Sequence, residues 1–145
     1  VYHGVTVGDS VFIGPGAILT NDRTPRAVTA TGELARADDW TVTPIHLAEG
    51  ASIGAGAIVV AGCDVGPYAM VGAGAVVTRT VPGHALVVGN PARRIGWVCA
   101  CGARLEERAD GGLGCPSCGR IYTYVPDGET LAERSGPVVK QGAPA

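Results

Sequence analysis

Aliphatic side chains recur at every sixth position: Val1, Val7, Ile13 and Leu19, then, after an interruption, Leu47, Ile53, Val59, Val65, Val71 and Val77. Ile, Leu and Val together make up only 33 of the 145 residues, so ten filled slots do not follow from composition. Four positions after most of them stands a small or medium apolar residue: Val5, Val11, Ala17, Ala51, Ala57, Cys63, Ala69, Ala75 and Val81. A helix repeats at 3.6 and a simple strand at 2, and neither gives this register. A period of six is met by a short strand and a tight corner, with one large and one small side chain pointing into a shared interior. Repeated hexads of this kind predict an all-β chain folded as a parallel β-helix.

Three hexads per turn of a triangular prism make a coil of 18 residues, so residues 18 apart should stack at about 4.8 Å. Ile53-Gly54-Ala55-Gly56 then lies under Val71-Gly72-Ala73-Gly74, a corner strip almost free of side chains. By the same rule His3 stacks on Asn21. Glycine is abundant, at 23 residues, and sits where corners need a permissive backbone; aromatic residues are scarce, at 5 %, so the core must be built from stacked Val, Ile and Ala. The net charge of −2 and the absence of any Lys/Arg run argue against a nucleic-acid surface. Residues 51–77 carry a single charge, Asp64, and mimic a membrane span by hydropathy. Their recurrent glycines and six-residue register fit a coil instead, so no membrane segment is expected.

Residues 1–98 are expected to form the β-helix, with a loop at 23–46 where the repeat gives way to charge, Pro and Thr. Loops of this length are usually functional. The chain begins inside a repeat, which predicts further coils upstream. Segment 83–98 should cover the open end of the stack. Residues 99–124 hold Cys99-Ala100-Cys101-Gly102 and Cys115-Pro116-Ser117-Cys118-Gly119. This spacing resembles a zinc ribbon: four thiolates would fill a tetrahedral shell and leave no open position, making a structural zinc site. Disulfides are the competing reading. Cys63 occupies a small inward slot and is expected to be packed core. Residues 125–145, rich in Gly, Pro and charge, are expected to be a flexible tail.

The hexads, the loop after Leu19-Thr20-Asn21-Asp22-Arg23, and Val88-Gly89-Asn90-Pro91-Ala92 resemble the left-handed β-helix acyltransferases. Within them, VFIGPGAILTNDRTPR (11–26) and AMVGAGAVVTRTVPGHALVVGNPARRIGWV (69–98) are similar to bacterial nucleotide-sugar N-acetyltransferases. The resemblance covers residues 1 to about 98. It implies a left-handed helix, although crossovers are ordinarily right-handed. It also implies transfer from acetyl-CoA to an amine on a UDP- or dTDP-linked sugar for surface polysaccharide. A homotrimer with acetyl-CoA between subunits and a cytoplasmic location follow from it too, and reduced thiols in that compartment favour zinc over disulfides.

Acyl transfer needs a neutral amine, a donor for the oxyanion and a proton route to the leaving thiolate. Asn21, matching the family's TND asparagine, is expected to orient the amine. His3 is the candidate general base, with a solvated surface position as the equal alternative. Asp22, Arg23 and His46 are candidates for substrate binding. Gly54, Ala55, Gly72 and Ala73 expose backbone for a pantetheine arm. The resemblance places Asn90 and Pro91 near the CoA nucleotide, with Arg93 and Arg94 suited to its phosphates. His84 falls in a variable turn and carries little functional weight. The rival readings are an O-acetyltransferase of the same fold, a γ-type carbonic anhydrase needing three clustered histidines, and a catalytically silent assembly or binding module.

Overall fold

The large residue of most hexads lies on a strand of two or three residues, and Val65 on single bridges. The computed structural model of the chain describes residues 2–136. The first coil holds β1 (Val5–Val7), β2 (Phe12–Ile13) and β3 (Ile18–Leu19). After the loop come β4 (Ile45–Leu47), β5 (Ser52–Ile53) and β6 (Ile58–Val59). The next coils hold β7 (Met70–Val71), β8 (Val76–Val77) and β9 (Ala85–Val88), and β10 (Arg93–Trp97) turns back antiparallel on β9.

Stacking makes three parallel faces. One is β1–β4, continued by single bridges from Leu47 to Val65 and from Val65 to Val81. The second is β2–β5–β7–β9, and the third is β3–β6–β8. Ile53 pairs with Val71 and Val59 with Val77, the expected 18-residue step. Across the loop the step is longer: Ile13 pairs with Ile53 and Leu19 with Val59. The loop is thus extruded between two coils whose stacking it does not disturb.

The interior is the predicted one. Leu19, Leu47, Ile53, Val59, Val65, Val71 and Val77, with Ala51, Ala57, Cys63, Ala69 and Ala75 between them, are all buried. Each aliphatic side chain so covered contributes roughly 1.5–3 kcal/mol, which makes a core without rings sufficient. The first coil differs. Val7 is 45 % exposed and Ile13 only half-buried, because among the described residues this coil has a stacked neighbour on one side only.

At the other end the interior does not stop. Trp97, Cys99, Leu105, Leu113, Cys115 and Tyr122 join the same apolar cluster as Val81, Ala85 and Val87. Trp97 ends β10; the others come from a four-stranded antiparallel sheet and the turns in and before it: β11 (Glu106–Glu107), β12 (Leu113–Gly114), β13 (Ile121–Tyr124) and β14 (Leu131–Ser135). The cysteine segment therefore covers the end of the coil stack, sharing its core.

The flexible tail expected from residue 125 is corrected here. Leu131–Ser135 forms β14, paired with β13 from Tyr124↔Leu131 to Ile121↔Ser135. The Asp127-Gly128 turn makes the pairing possible. Asp127 Oδ1 accepts the amides of Glu129 (2.8 Å) and Thr130 (3.1 Å), and Gly128 takes φ +69°. Residues 137–145 lie outside the described residues.

Candidate active site and cysteine cluster

The loop leaves the coil through four consecutive residues, each tied down in its own way. The Thr20 hydroxyl accepts the amide of Ala61 at 2.8 Å. Asn21 Nδ2 donates to the His3 carbonyl at 3.2 Å, and the Asn21 carbonyl accepts the Thr43 amide at 2.8 Å, closing the loop base. Asp22 Oδ1 accepts the Thr24 amide at 2.9 Å. Arg23 reaches back along the coil, donating to the Ala61 carbonyl at 2.9 Å with the Cys63 sulfur at 3.5 Å.

Asn21 and His3 thus meet as the 18-residue step requires, through the histidine's carbonyl and not its ring. Among the described residues Asn21 Oδ1 has no hydrogen-bond donor, so it can accept from a ligand. Asn21 and Asp22 border a solvent-open cavity of about 970 Å³ lined otherwise by residues of the loop. Arg23 and His46 do not line it. Arg23 is committed to the coil, and His46 stands exposed on the first face between Thr6 and Asp64, whose Oδ1 accepts the His46 amide at 2.8 Å.

The corner strip is as bare as its sequence. A Cβ on Gly54 would meet the Ala73 amide nitrogen at 2.5 Å, and one on Gly14 the Ala55 nitrogen at 2.6 Å, so the coils stack here backbone against backbone. Ala55 and Ala73 are exposed at the corner, and the Gly74 amide donates to the Ala55 carbonyl at 2.9 Å. A Cβ on Gly72 would press on Val88 Cγ1 at 2.8 Å. The turn carrying Asn90 and Pro91, joined by a cis peptide, hooks onto β8: the Val76 amide donates to Gly89 and the Ala92 amide to Val76. Arg93 and Arg94 are exposed at the start of β10, with the Arg94 guanidinium 4.3 Å from the Trp97 ring centroid.

Cys99, Cys101, Cys115 and Cys118 converge, their sulfurs all within 4.8 Å of one another. Cys99 and Cys118 are 3.5 Å apart, as are Cys101 and Cys115. That is far from a disulfide bond of about 2.05 Å and close to the roughly 3.8 Å edge of a tetrahedron with 2.3 Å metal–sulfur bonds. The donor set fits a tetrahedral thiolate metal. Around it, the Tyr122 hydroxyl lies 3.3 Å from the Cys99 sulfur and accepts the Ala100 amide at 3.1 Å. Arg120 Nη1 approaches Cys118 at 3.5 Å. The Arg120 amide helps hold the Cys118 thiol down at about 6. The Ala103 amide favours the Cys101 thiolate, yet desolvation and the three neighbouring sulfurs push Cys101 up to about 12. Four adjacent thiols resist joint ionisation unless a cation shares their charge.

His84 was discounted on sequence and proves central to the architecture. It is buried, its Nδ1 2.9 Å from the Val98 carbonyl, and burial lowers its pKa. Its ring stacks on Tyr68 at 5.4 Å and meets Tyr122 at 4.8 Å. Among the described residues His3, His46 and His84 form no metal-binding group; the four cysteines do. Loop residues Arg26, Arg36 and Trp40 also line the cavity and were not singled out by sequence. Their signal lay only in being the cationic and aromatic members of the loop.

Residues 44–79 match the bacterial transferase hexapeptide (six repeats) family. The chain is 53 % identical over 76 residues to the dTDP-3-amino-3,6-dideoxy-alpha-D-galactopyranose 3-N-acetyltransferase of Aneurinibacillus thermoaerophilus, covering 52 % of this chain and 38 % of that one. It is 30 % identical over 141 residues to serine acetyltransferase 2 of Arabidopsis thaliana, covering 96 % and 39 %. The chain therefore spans about two fifths of the length of these relatives. Among solved structures, it superposes with a TM-score of 0.53 on a Vibrio cholerae hexapeptide-repeat acetyltransferase complexed with acetyl coenzyme A, at 29 % identity, covering 64 % and 49 %. The same TM-score relates it to AntD, a Bacillus cereus N-acyltransferase complexed with dTDP-4-amino-4,6-dideoxyglucose and coenzyme A, at 19 % identity, covering 64 % and 52 %. The fold is the left-handed parallel β-helix, as the resemblance implied.

Proposed function

We propose that this chain carries the catalytic part of an acetyl-CoA-dependent N-acetyltransferase acting on an amino group of a nucleotide-linked sugar, in surface polysaccharide assembly. The observation that carries this reading is the 53 % identity over 76 residues with an acetyltransferase of that substrate class. Residues at the base of the loop support a reading of how the amine is oriented and deprotonated. The sugar amine donates to Asn21 Oδ1, whose Nδ2 is held by the His3 carbonyl. An amide is no base near neutral pH, so its role is to aim the nitrogen lone pair at the thioester carbon. The exposed imidazole of His3 then takes the proton released as the tetrahedral intermediate collapses and expels the thiolate. Asp22 faces the ammonium form of the acceptor. Arg23 acts by pinning the loop to the coil, and His46 stands outside the cavity on the exposed β1–β4 face.

The Gly54-Ala55 and Gly72-Ala73 corner lets the pantetheine arm lie against backbone, with Asn90, Pro91, Arg93 and Arg94 meeting the nucleotide end of CoA. The four cysteines hold a structural zinc, whose filled shell contributes cross-linking and no catalysis. A homotrimer is supported by an outward column of apolar residues, Ile18, Ile58 and Val76, and by Phe12, Met70 and Leu86 on the next face, where Ser52 separates Phe12 from Met70. A cytoplasmic location agrees with reduced zinc thiolates; no helix of the described residues is long and apolar enough to cross a membrane.

Release of free thiol from acetyl-CoA, followed with a panel of UDP- and dTDP-linked amino sugars and their hydroxyl counterparts, tests the reading. Thiol release only with amino sugars is expected. Release with hydroxyl sugars alone would make the chain an O-acetyltransferase, and no release with any acceptor would leave only an assembly module.

A further inference from the structure

The loop builds a chamber of its own. Residues 27–35 fold into a small hairpin, with Val28 bridged to Leu34, the Thr29 amide donating to Glu33 and the Ala35 amide to Ala27. A short 3-10 turn at Ala37–Asp39 bends the chain back, and the bond from Thr43 to Asn21 shuts the base. The concavity opens to solvent, and its volume of about 970 Å³ falls within the range of roughly 300–1,000 Å³ that small-molecule sites occupy. Its walls are kept thin by Ala27, Ala30, Ala35 and Ala37.

Three large side chains project from those walls: Arg26, Arg36 and Trp40. Both guanidinium groups are exposed, and neither forms an ion pair among the described residues. The one hydrogen bond of the Arg26 side chain among the described residues goes to the Pro25 carbonyl beside it, at 3.2 Å. The carboxylates that share the chamber are engaged locally. Asp39 Oδ2 accepts the Arg36 amide at 2.8 Å, and Asp22 accepts that of Thr24. Trp40 keeps 43 % of its surface exposed, although an indole gains by burial. Two uncommitted cations and an uncovered ring in one cavity describe an anionic ligand with a flat aromatic group.

The geometry points to this chamber as the seat of the nucleoside diphosphate of the acceptor, with Arg26 and Arg36 on the diphosphate and Trp40 against the base. The inference rests on the proposed function, and it names residues for the half of the substrate that does not react. Asp22 lines the same cavity next to Asn21, where the proposed function puts the acceptor's amine. Guanidinium forks match phosphate oxygens, and an indole face accepts any base without reading its edge.

Calorimetric titration of TDP and UDP into the full chain tests this, with acetyl-CoA titrated separately. Arg26→Gln/Arg36→Gln and Trp40→Ala should each weaken nucleotide binding about tenfold or more, from lost charge-assisted bonds or stacking. Acetyl-CoA affinity and melting temperature should stay at wild-type values, since all three side chains are exposed on the loop. Nucleotide should also quench Trp40 fluorescence, leaving Trp97 as the control in Trp40→Phe. Equal nucleotide affinity in wild type and either variant would overturn the assignment. Absence of nucleotide binding by a wild-type chain that still acetylates free amino sugars would overturn it too, while sparing acetyl transfer. Failure to bind either nucleotide or acetyl-CoA would take the proposed function down with it.

Discussion

The imidazole of His84 meets the phenol ring of Tyr122 at 4.8 Å between centroids, tilted by 60°, across the join between the last coil and the cysteine segment. Tyr68 stacks on the other side of His84, and a Cβ on Gly50 would strike the Tyr68 ring. Gly50, Tyr68 and His84 occupy equivalent corners, with φ of +68°, +54° and +61°. Left-handed backbone is unfavourable for side chains other than glycine, at about 1 kcal/mol or more per residue. Two such residues in succession are retained where their rings continue into Tyr122 and, through its hydroxyl, to the Cys99 sulfur.

Metal removal should therefore be felt inside the coil stack and not only in the cysteine segment. Chelation is expected to remove about 3 kcal/mol or more, a fall of about 10 °C in melting temperature. Hydrogen exchange should rise along β9 and β10 as well as around the cysteines. Unchanged melting and unchanged exchange at 85–97 after complete metal removal would show the two parts to be energetically separate.

Acid should weaken the same join. Burial lowers the pKa of His84 despite the opposing influence of the Val98 carbonyl and the nearby Glu133 carboxylate. The unfolded chain then binds a proton that the folded chain refuses, so stability is full above the unfolded value of about 6.5 and declines as pH falls through it. The other groups facing the imidazole, Tyr68 and Tyr122, remain neutral throughout that range. Denaturant melts at about pH 8 and about pH 5 should show a larger loss in wild type than in His84→Asn, which keeps a side chain tolerant of positive φ. Metal loss is common to both proteins and cancels in that comparison.

Register can be read out by two valines that share one sequence slot. Val71 is buried between stacked coils, whereas Val7 occupies the first coil and is 45 % exposed. Val71→Ala should cost about 2 kcal/mol and Val7→Ala well under 1 kcal/mol. Val71→Asp should not fold. Equal losses at the two sites in urea titrations would mean that the slot is not what decides burial.

The contrast between those valines also marks how far sequence could reach. The hexads predicted Ile53 against Val71 because a period of six leaves one arrangement for the large residue, and this is local information. The cysteine spacing was equally legible, since four metal-ligating side chains must converge. The contact of His84 with Tyr122 was not, because Tyr122 lies outside the coil repeat and no spacing ties it to the corner that His84 occupies. β14 was missed although Asp127-Gly128 is a turn signal, because Leu131-Ala132-Glu133-Arg134-Ser135 alternates too weakly to announce a strand. The loop could be delimited by the loss of the repeat. Its chamber could not, for it depends on where Thr43 closes on Asn21.

At the hairpin of β9 and β10, Arg93 and Arg94 differ in what they are free to do. Arg94 lies over Trp97, while Arg93 bonds only the neighbouring Ala92 carbonyl at 3.0 Å. Neutralising both to Gln should raise the Michaelis constant for acetyl-CoA about tenfold with kcat little changed, because phosphate contacts far from the thioester are made equally in ground and transition states. A proportional fall in kcat would place them nearer the reacting carbonyl than the hairpin suggests.

Asn21 should show the opposite split. Its Nδ2 is held by the His3 carbonyl and its backbone carbonyl by Thr43, so the side chain is fixed before any ligand arrives. Preorganised orientation of a reacting amine lowers the barrier without tightening the ground state, and its loss is worth about 100-fold in rate. Asn21→Ala should lower kcat by about that factor, leave the acetyl-CoA Michaelis constant near wild type, and melt normally because the side chain is half-exposed. Asn21→Asp separates orientation from charge. It keeps an acceptor oxygen for the amine but turns a donor toward His3 into a second acceptor, so it should lose nearly as much as alanine. Wild-type turnover in either variant would exclude Asn21 from the transfer step.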